Sequence, residues 1–236
     1  MRLTPLVLLM LITPSYPATV ALDVGHFRAE PGATSARGRP EFEFNRDLAL
    51  DIRAALTARG AVTILVGADG SMAHLSQRTA AAGRADFLLS VHHDSMQPQF
   101  FSIWDDEGTE RLYSDRYAGF SLFVSRRNVD LATSLRCASA IGAALRASGF
   151  TPSLYHAEEI PGEFKAFADR DNGVHYYDNL VVLHTAKSPA VLLEAGVIVN
   201  RDEELKLASP ETRRRLASAV VEGLSRCLPS SGAAHF

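Results

Sequence analysis

Three histidines and a glutamate stand at the ends of three apolar runs, where a fold could bring their side chains together. His26 follows a glycine after the run VALDV, the pair His92 and His93 closes the run FLLSV, and Glu194 ends the run AVLL. Two histidines and one carboxylate are a common catalytic zinc set that leaves the fourth position for water. A further carboxylate outside that set can move protons as general base and acid. This composition predicts a hydrolytic site with one zinc ion.

The carboxylate ligand of such a site has two candidates, Glu41 and Glu43. Both stand at the start of a helix predicted over residues 41–59, where solvated acidic residues also interact favourably with the helix dipole. Position alone therefore does not decide between a ligand and a surface acid.

Each of the other residues also has a simpler explanation. His26 could be an ordinary turn residue, and Glu194 could pair with a buried arginine. Successive side chains of a strand point to opposite faces, so at most one of His92 and His93 should face a site. The site hypothesis rests on all of these residues acting together.

Apolar runs and helical periodicity alternate along the chain, which is typical of an α/β fold with helices on both faces of a sheet. The apolar runs, strand candidates in the main, cover residues 20–24, 61–67, 87–92, 119–126, 180–186 and 190–196. The predicted helices cover residues 41–59, 72–84 and 131–148, and a last helix begins with Ser209 as its cap and Pro210 at its first position.

Two long segments break this alternation. Residues 96–118 lack a clear period and are expected to form a surface excursion, and residues 151–177 form a polar loop with two histidines and several acids. The two cysteines, Cys137 and Cys227, fall in separate predicted helices. They could form one disulfide, as in an exported protein, or remain two buried thiols.

The two chain termini and the net charge limit where the protein is expected to act and which partners it is expected to bind. Residues 1–18 resemble a short secretory signal, whose apolar run is too short to span a membrane, and residues 229–236 are expected to form a flexible tail. We therefore expect export to the periplasm or the extracellular space without stable membrane insertion. The net charge of −3 leaves no basic stripe to neutralise phosphates, so we expect no nucleic-acid partner.

Four ordered stretches resemble the zinc-dependent N-acetylmuramoyl-L-alanine amidases of bacterial cell walls. The stretch LDVGHFRAEPGA, residues 22–33, corresponds to the family's strand-GHGG-x-DPGA pattern, and Glu41 with Asn45 four residues later matches its ligand helix. SVHHD matches the strand ending S-V-H-x-D, and PAVLLEAGVIVN matches the last strand of the family. The resemblance extends from about residue 20 to residue 228.

The resemblance implies a single catalytic domain over residues 19–228, with a twisted, mostly parallel sheet of about six strands. It implies one Zn²⁺ held by His26, Glu41 and His92, with Glu41 preferred over Glu43, and Glu194 as the catalytic carboxylate. The reaction would be hydrolysis of the amide between N-acetylmuramic acid and L-alanine in peptidoglycan, either in the intact sacculus or in released muropeptides.

The sequence also departs from the family pattern. Phe27 and Arg28 replace the two glycines after the first histidine, and His184 stands where many members carry an arginine. Arg28, His93 and His184 are therefore candidate substrate-binding residues. Two other functions stay open: a different zinc amidohydrolase or carboxypeptidase, and an inactive wall-binding relative.

Overall fold

The structure is a computed structural model that describes residues 18–228 of the 236-residue chain. The predicted tail at residues 229–236, and all but the last residue of the predicted signal at residues 1–18, lie outside the described residues. Within the described part, no helix has the length and apolar character needed to cross a bilayer.

Nine strands and six α-helices make up the described chain. The strands are β1 (Thr19–Val24), β2 (Val62–Val66), β3 (Phe87–Asp94), β4 (Ser102–Asp106), β5 (Thr109–Tyr113), β6 (Ser121–Val124), β7 (Phe167–Asp169), β8 (Val174–Tyr176) and β9 (Ala190–Val197). The helices are α1 (Glu41–Ala58), α2 (Leu75–Ala82), α3 (Leu131–Ala147), α4 (Val181–Thr185), α5 (Arg201–Ala208) and α6 (Pro210–Cys227).

Seven of the strands form one sheet in the order β2-β1-β3-β9-β6-β8-β7, and β4 and β5 form a separate hairpin. Strands β2, β1, β3 and β9 are parallel, whereas β6 runs antiparallel to β9 and β7 antiparallel to β8. The predicted α/β fold with a mostly parallel sheet is confirmed, with seven strands instead of about six.

The extra elements come from the segments without a clear period. The hairpin lies within residues 96–118, and β7 and β8 lie within residues 151–177. Three-residue strands are too short for an alternating pattern to stand out from a polar loop. The apolar run at residues 180–186 forms the short helix α4 instead of an extended segment.

Apolar layers cover both faces of the sheet, as predicted. One face carries α1, α3 and α6, with Phe44, Leu89 and Ile141 among its fully buried side chains. The other face carries α2 and α4, and its layer includes Leu88 and Leu183. Because residues alternate along a strand, His92 and Glu194 point to the α2/α4 face.

The two cysteines form a disulfide. Cys137 in α3 and Cys227 at the end of α6 are joined across 90 residues of sequence, and their Cα atoms are 5.0 Å apart. This decides between the two alternatives that the sequence left open. The bond ties together the two helices that cover the same face of the sheet.

Candidate metal centre

His26, Glu41 and His92 converge at the carboxyl end of the parallel strands. Glu41 Oε2 lies 3.0 Å from His26 Nε2, and Glu41 Oε1 lies 3.1 Å from His92 Nδ1. One ligand atom from each residue lies within 4.8 Å of the other two, and no other such group occurs among residues 18–228. The three residues expected to bind one metal ion therefore share one site.

Two glycines make room for this convergence. A Cβ atom on Gly25 would lie 2.3 Å from the ring of His92, and a Cβ on Gly32 would lie 2.3 Å from Glu41 Oε2. Both distances are far below van der Waals contact, so a larger residue at either position would displace a ligand. Gly32 also has a φ of 78°, which favours glycine.

Glu41 is the best-held of the three ligands. Its carboxylate accepts hydrogen bonds from Asn45 Nδ2 at 3.0 Å, from the Ala33 amide at 3.1 Å and from the His93 amide at 3.3 Å. Burial opposes its charge, but the hydrogen bonds and charges of His26 and His92 outweigh burial and hold the pKa of Glu41 well below its usual range. Glu41 is therefore anionic at neutral pH.

Glu43 points elsewhere. Its side chain is half-exposed and pairs with Arg39, with 3.1 Å between Glu43 Oε2 and Arg39 Nε. The geometry thus favours Glu41 as the carboxylate of the site.

His93 lies on the opposite face of β3 from His92, as strand alternation predicts. It is buried against Phe44, with its Nδ1 2.8 Å from Asn45 Oδ1, so Nδ1 carries the proton. Burial lowers the pKa of His93 to about 3, which keeps the ring neutral. His93 therefore supports Asn45, which in turn orients Glu41, and has little exposed surface to offer a substrate.

Glu194 stands beside the ligand set with an unpaired carboxyl oxygen. Part of its side chain reaches solvent, whereas Oε2 is buried and has no hydrogen-bond partner in the described part of the chain. Burial raises the pKa of Glu194 well above its usual range, and the negative charges of Asp94 and Glu41 raise it further. A carboxyl group in this environment can hold a proton near neutral pH and release it to a neighbouring group.

A second set of charged residues lies next to Glu194 and was not singled out from the sequence. His156 Nε2 is 2.7 Å from Asp94 Oδ2, and His156 Nδ1 is 2.5 Å from Glu163 Oε1. Burial opposes protonation of His156, but the two carboxylates outweigh burial and raise its pKa to about 9. The sequence signal was a histidine in an acidic loop, and only the fold identifies its partners.

The other two candidate substrate residues lie on different elements of the fold. Arg28 is exposed and its Nε donates to the Asp69 carbonyl oxygen at 2.9 Å, so it lies along the loop that leads into α2. His184 is half-buried on α4, and its Nδ1 has no partner among the described residues. Neither residue contacts the ligand set through a hydrogen bond in this part of the chain.

A groove opens on the Glu41 side of the site. Its volume is about 340 Å³, and it is lined by Ala33, Thr34, Ser35, Ser95, Phe101, Glu110, Arg111 and Leu112. Ala33 donates to Glu41, and Ser95 follows Asp94 directly, so the groove begins at the ligand set and ends at the β4–β5 hairpin.

The donor atoms suit zinc. Two imidazole nitrogens and one carboxylate oxygen are ligands that Zn²⁺ accepts in a catalytic site. The glycines at positions 25 and 32 leave these side chains free to approach one another, and the remaining hydrogen bonds of Glu41 hold it in place.

Comparisons with known proteins identify the family of this chain. The family model described as N-acetylmuramoyl-L-alanine amidase matches residues 20–226. N-acetylmuramoyl-L-alanine amidase LytC of Bacillus subtilis is 27% identical over 89% of this chain, which spans only 35% of LytC. N-acetylmuramoyl-L-alanine amidase Rv3717 of Mycobacterium tuberculosis is 25% identical over 86% of this chain and 75% of its own length.

A solved structure has the same fold. The N-acetylmuramyl-L-alanine amidase Ami1 from Mycobacterium smegmatis superposes with a TM-score of 0.71 at 25% identity, over 91% of this chain and 98% of Ami1. Because the family model spans nearly all of the described residues, the chain belongs to the N-acetylmuramoyl-L-alanine amidase family.

Proposed function

We propose that this protein hydrolyses the amide bond between N-acetylmuramic acid and L-alanine in peptidoglycan, with one zinc ion held by His26, Glu41 and His92. The observation that supports this most is the short distance from Glu41 to both histidines, with a proton-holding carboxyl group, Glu194, beside them. Membership of the amidase family supports the choice of bond.

A bound zinc ion would polarise the scissile carbonyl and lower the pKa of a water molecule. The chain's own residues supply the rest. Glu194 takes a proton from the attacking water and returns it to the nitrogen of the departing L-alanine. Burial raises its pKa above the usual range, which favours proton uptake compared with an exposed carboxylate.

Asn45 and His93 support Glu41 through hydrogen bonds: Asn45 contacts Glu41, and His93 contacts Asn45. Asn45 donates to Glu41 Oε1 and to the Gly25 carbonyl oxygen at 3.2 Å, so one amide group ties the ligand helix to the turn that carries His26. Such partners orient a metal ligand and set its basicity.

The substrate contacts stay a proposal. Arg28 offers an exposed guanidinium near the first ligand, suited to a carboxylate of the peptide stem. His93 and His184 remain weaker candidates, because both rings are buried or half-buried. The predicted leader at residues 1–18 supports action outside the cytoplasm.

Digestion of purified peptidoglycan tests the reaction. Mass spectrometry should detect free stem peptides beginning with L-alanine and glycan without stems. Treatment with a chelator should abolish both products, and added Zn²⁺ should restore them. Shortened stem peptides still attached to glycan would instead identify a carboxypeptidase, and zinc binding without any product would identify an inactive wall-binding protein.

A further inference from the structure

Arg78 in α2 is buried directly behind the turn that carries His26. Its side chain is almost inaccessible to solvent, and its two terminal nitrogens have separate partners. Nη1 donates to Asp23 Oδ1 at 2.8 Å and to the Val24 carbonyl oxygen at 2.5 Å. Nη2 donates to the Met72 carbonyl oxygen at 3.0 Å and to the carbonyl oxygen of His26.

The charge of Arg78 is matched within the core. Asp23 lies on strand β1 and is 1% exposed, and its second oxygen accepts a hydrogen bond from Ser90 Oγ at 2.7 Å. Removing a partner from a buried ion pair is strongly unfavourable, so each of these residues fixes the other. The guanidinium is thus held in a fixed position at the end of β1.

The backbone of His26 is strained, so it requires a contact that holds it in place. Its φ is 65°, in the left-handed region that residues with a side chain rarely adopt. This conformation turns the imidazole toward Glu41 and leaves the His26 carbonyl group outside the sheet. Among the described residues, the hydrogen-bond donor to that carbonyl oxygen is Arg78 Nη2.

We propose that Arg78 is a positioning residue for the metal site, which fixes the ligand His26 through its backbone carbonyl. This inference rests on the proposed function, since it assumes that His26 binds the metal. The fork of a guanidinium is required, because Nη1 serves β1 and Asp23 while Nη2 serves His26.

The alternative is that Arg78 only joins α2 to the core through Asp23. Lysine separates the two roles. In Arg78→Lys the single ammonium group retains the charge opposite Asp23 but is unable to span both sets of acceptors, so the His26 carbonyl loses its partner. A purely structural pair would survive this change without any effect on the metal.

Zinc affinity provides the test, measured by competition with a chromogenic chelator and independent of turnover. We expect Arg78→Lys to bind Zn²⁺ about 10- to 100-fold more weakly than the unaltered protein, the range typical of residues that orient metal ligands. The metal-free form should remain folded, as a cooperative thermal unfolding transition would show. Excess Zn²⁺ should restore kcat with the KM for peptidoglycan fragments unchanged.

The matched control is Arg213→Lys. Arg213 also donates to one acid and one backbone carbonyl: its Nε lies 3.0 Å from Asp51 Oδ2, and its Nη1 lies 2.7 Å from the Ala208 carbonyl oxygen. It is located on α6, and it is far from the proposed metal ligands in the sequence. Its zinc affinity should equal that of the unaltered protein.

Unchanged zinc affinity in a folded Arg78→Lys protein would overturn the inference. If that variant does not fold, Ser90→Ala decides, because it removes support from Asp23 while leaving the guanidinium in place. A several-fold loss of zinc affinity in Ser90→Ala supports the inference, and wild-type affinity contradicts it. Absence of zinc binding or of amidase activity in the unaltered protein would instead refute the proposed function.

Discussion

His92 and Glu194 occupy paired positions on the neighbouring parallel strands β3 and β9. Paired residues of adjacent strands point to the same face, so the backbone ladder itself sets the spacing between a metal ligand and the proposed proton carrier. The next paired strand brings Ser121 opposite Glu194, with a buried hydroxyl that has no partner in the described residues. This part of the site is therefore built into the centre of the sheet and is independent of loop conformation.

We expect Glu194→Gln to lower kcat by about 10²- to 10⁴-fold, the usual contribution of general acid–base catalysis. The amide occupies the same space but is unable to exchange a proton in this way. Zinc content should stay at one ion per chain, because Glu194 is outside the ligand set. Metal analysis together with kcat on a soluble muropeptide measures both effects. Activity near that of the unaltered protein would remove Glu194 from the mechanism.

The two glutamates at the start of α1 give a matched pair for the ligand assignment. Glu41→Gln should lose most of the bound zinc, since a neutral amide replaces the anionic oxygen between His26 and His92. Glu43→Gln should retain it, because that side chain pairs with Arg39. Metal content after dialysis measures the difference. The reverse result would assign the ligand to Glu43.

The sequence indicated these candidate site residues because three apolar strands lead into them or contain them: β1 precedes His26, β3 contains His92, and β9 contains Glu194. Strand β3 carries an apolar run followed by His92 and Asp94, and β9 carries Glu194 after four apolar residues. Long parallel strands with buried faces leave a clear pattern, and their carboxyl ends meet at one edge of the sheet.

The supporting residues were not predictable in the same way. Arg78 falls in a short polar helix, and nothing local shows that its partners are Asp23 and the His26 carbonyl, 52 or more residues earlier. His156 likewise depends on Asp94, 62 residues away. Such pairs are defined by tertiary packing, which a period of two or 3.6 residues does not encode.

Gly25 should tolerate no side chain next to the ligands. In Gly25→Ala the new Cβ would overlap the ring of His92, so that ring must move away from Glu41. We expect zinc affinity to fall by at least tenfold. Gly60→Ala is the control, because Gly60 has open space around it although its φ is 83°. That variant should lose some stability and no zinc affinity, as chelator competition and thermal unfolding would show.

Reduction of the Cys137–Cys227 disulfide should destabilise the protein without emptying the metal site. The bond closes a loop of 90 residues, which corresponds to about 4.6 kcal/mol of unfolding free energy in the chain-entropy description. The double variant Cys137→Ala/Cys227→Ala should show a similar loss in denaturant titrations. Equal midpoints for the oxidised and reduced proteins would show that the bond does not stabilise the fold.

His156 and His175 are both buried, and we expect their contributions to the free energy of unfolding to change with pH in opposite directions. The pKa of His156 is raised to about 9, so its contribution is fully present below about pH 6.5, the usual value, and is lost as pH rises toward 9. Burial lowers the pKa of His175 to about 4, so its contribution is present above about pH 6.5 and is lost as pH falls toward 4. Each histidine therefore limits stability on a different side of neutrality.

Variants of these histidines distinguish the loss of stability at alkaline pH (the alkaline limb) from the loss of stability at acid pH (the acid limb). Between about pH 6.5 and 9, His156→Gln should remove about 2 kcal/mol of the pH-dependent change in unfolding free energy. The reason is that the charged ring between Asp94 and Glu163 is gone. His175→Asn retains a donor toward the Lys165 carbonyl oxygen and should flatten the acid limb instead. Metal-free protein is the right sample, because loss of zinc at acid pH would add to both profiles. If His156→Gln left the stability at alkaline pH unchanged, the imidazole would be neutral in the folded protein and could donate a hydrogen bond to only one of the two carboxylates, Asp94 or Glu163.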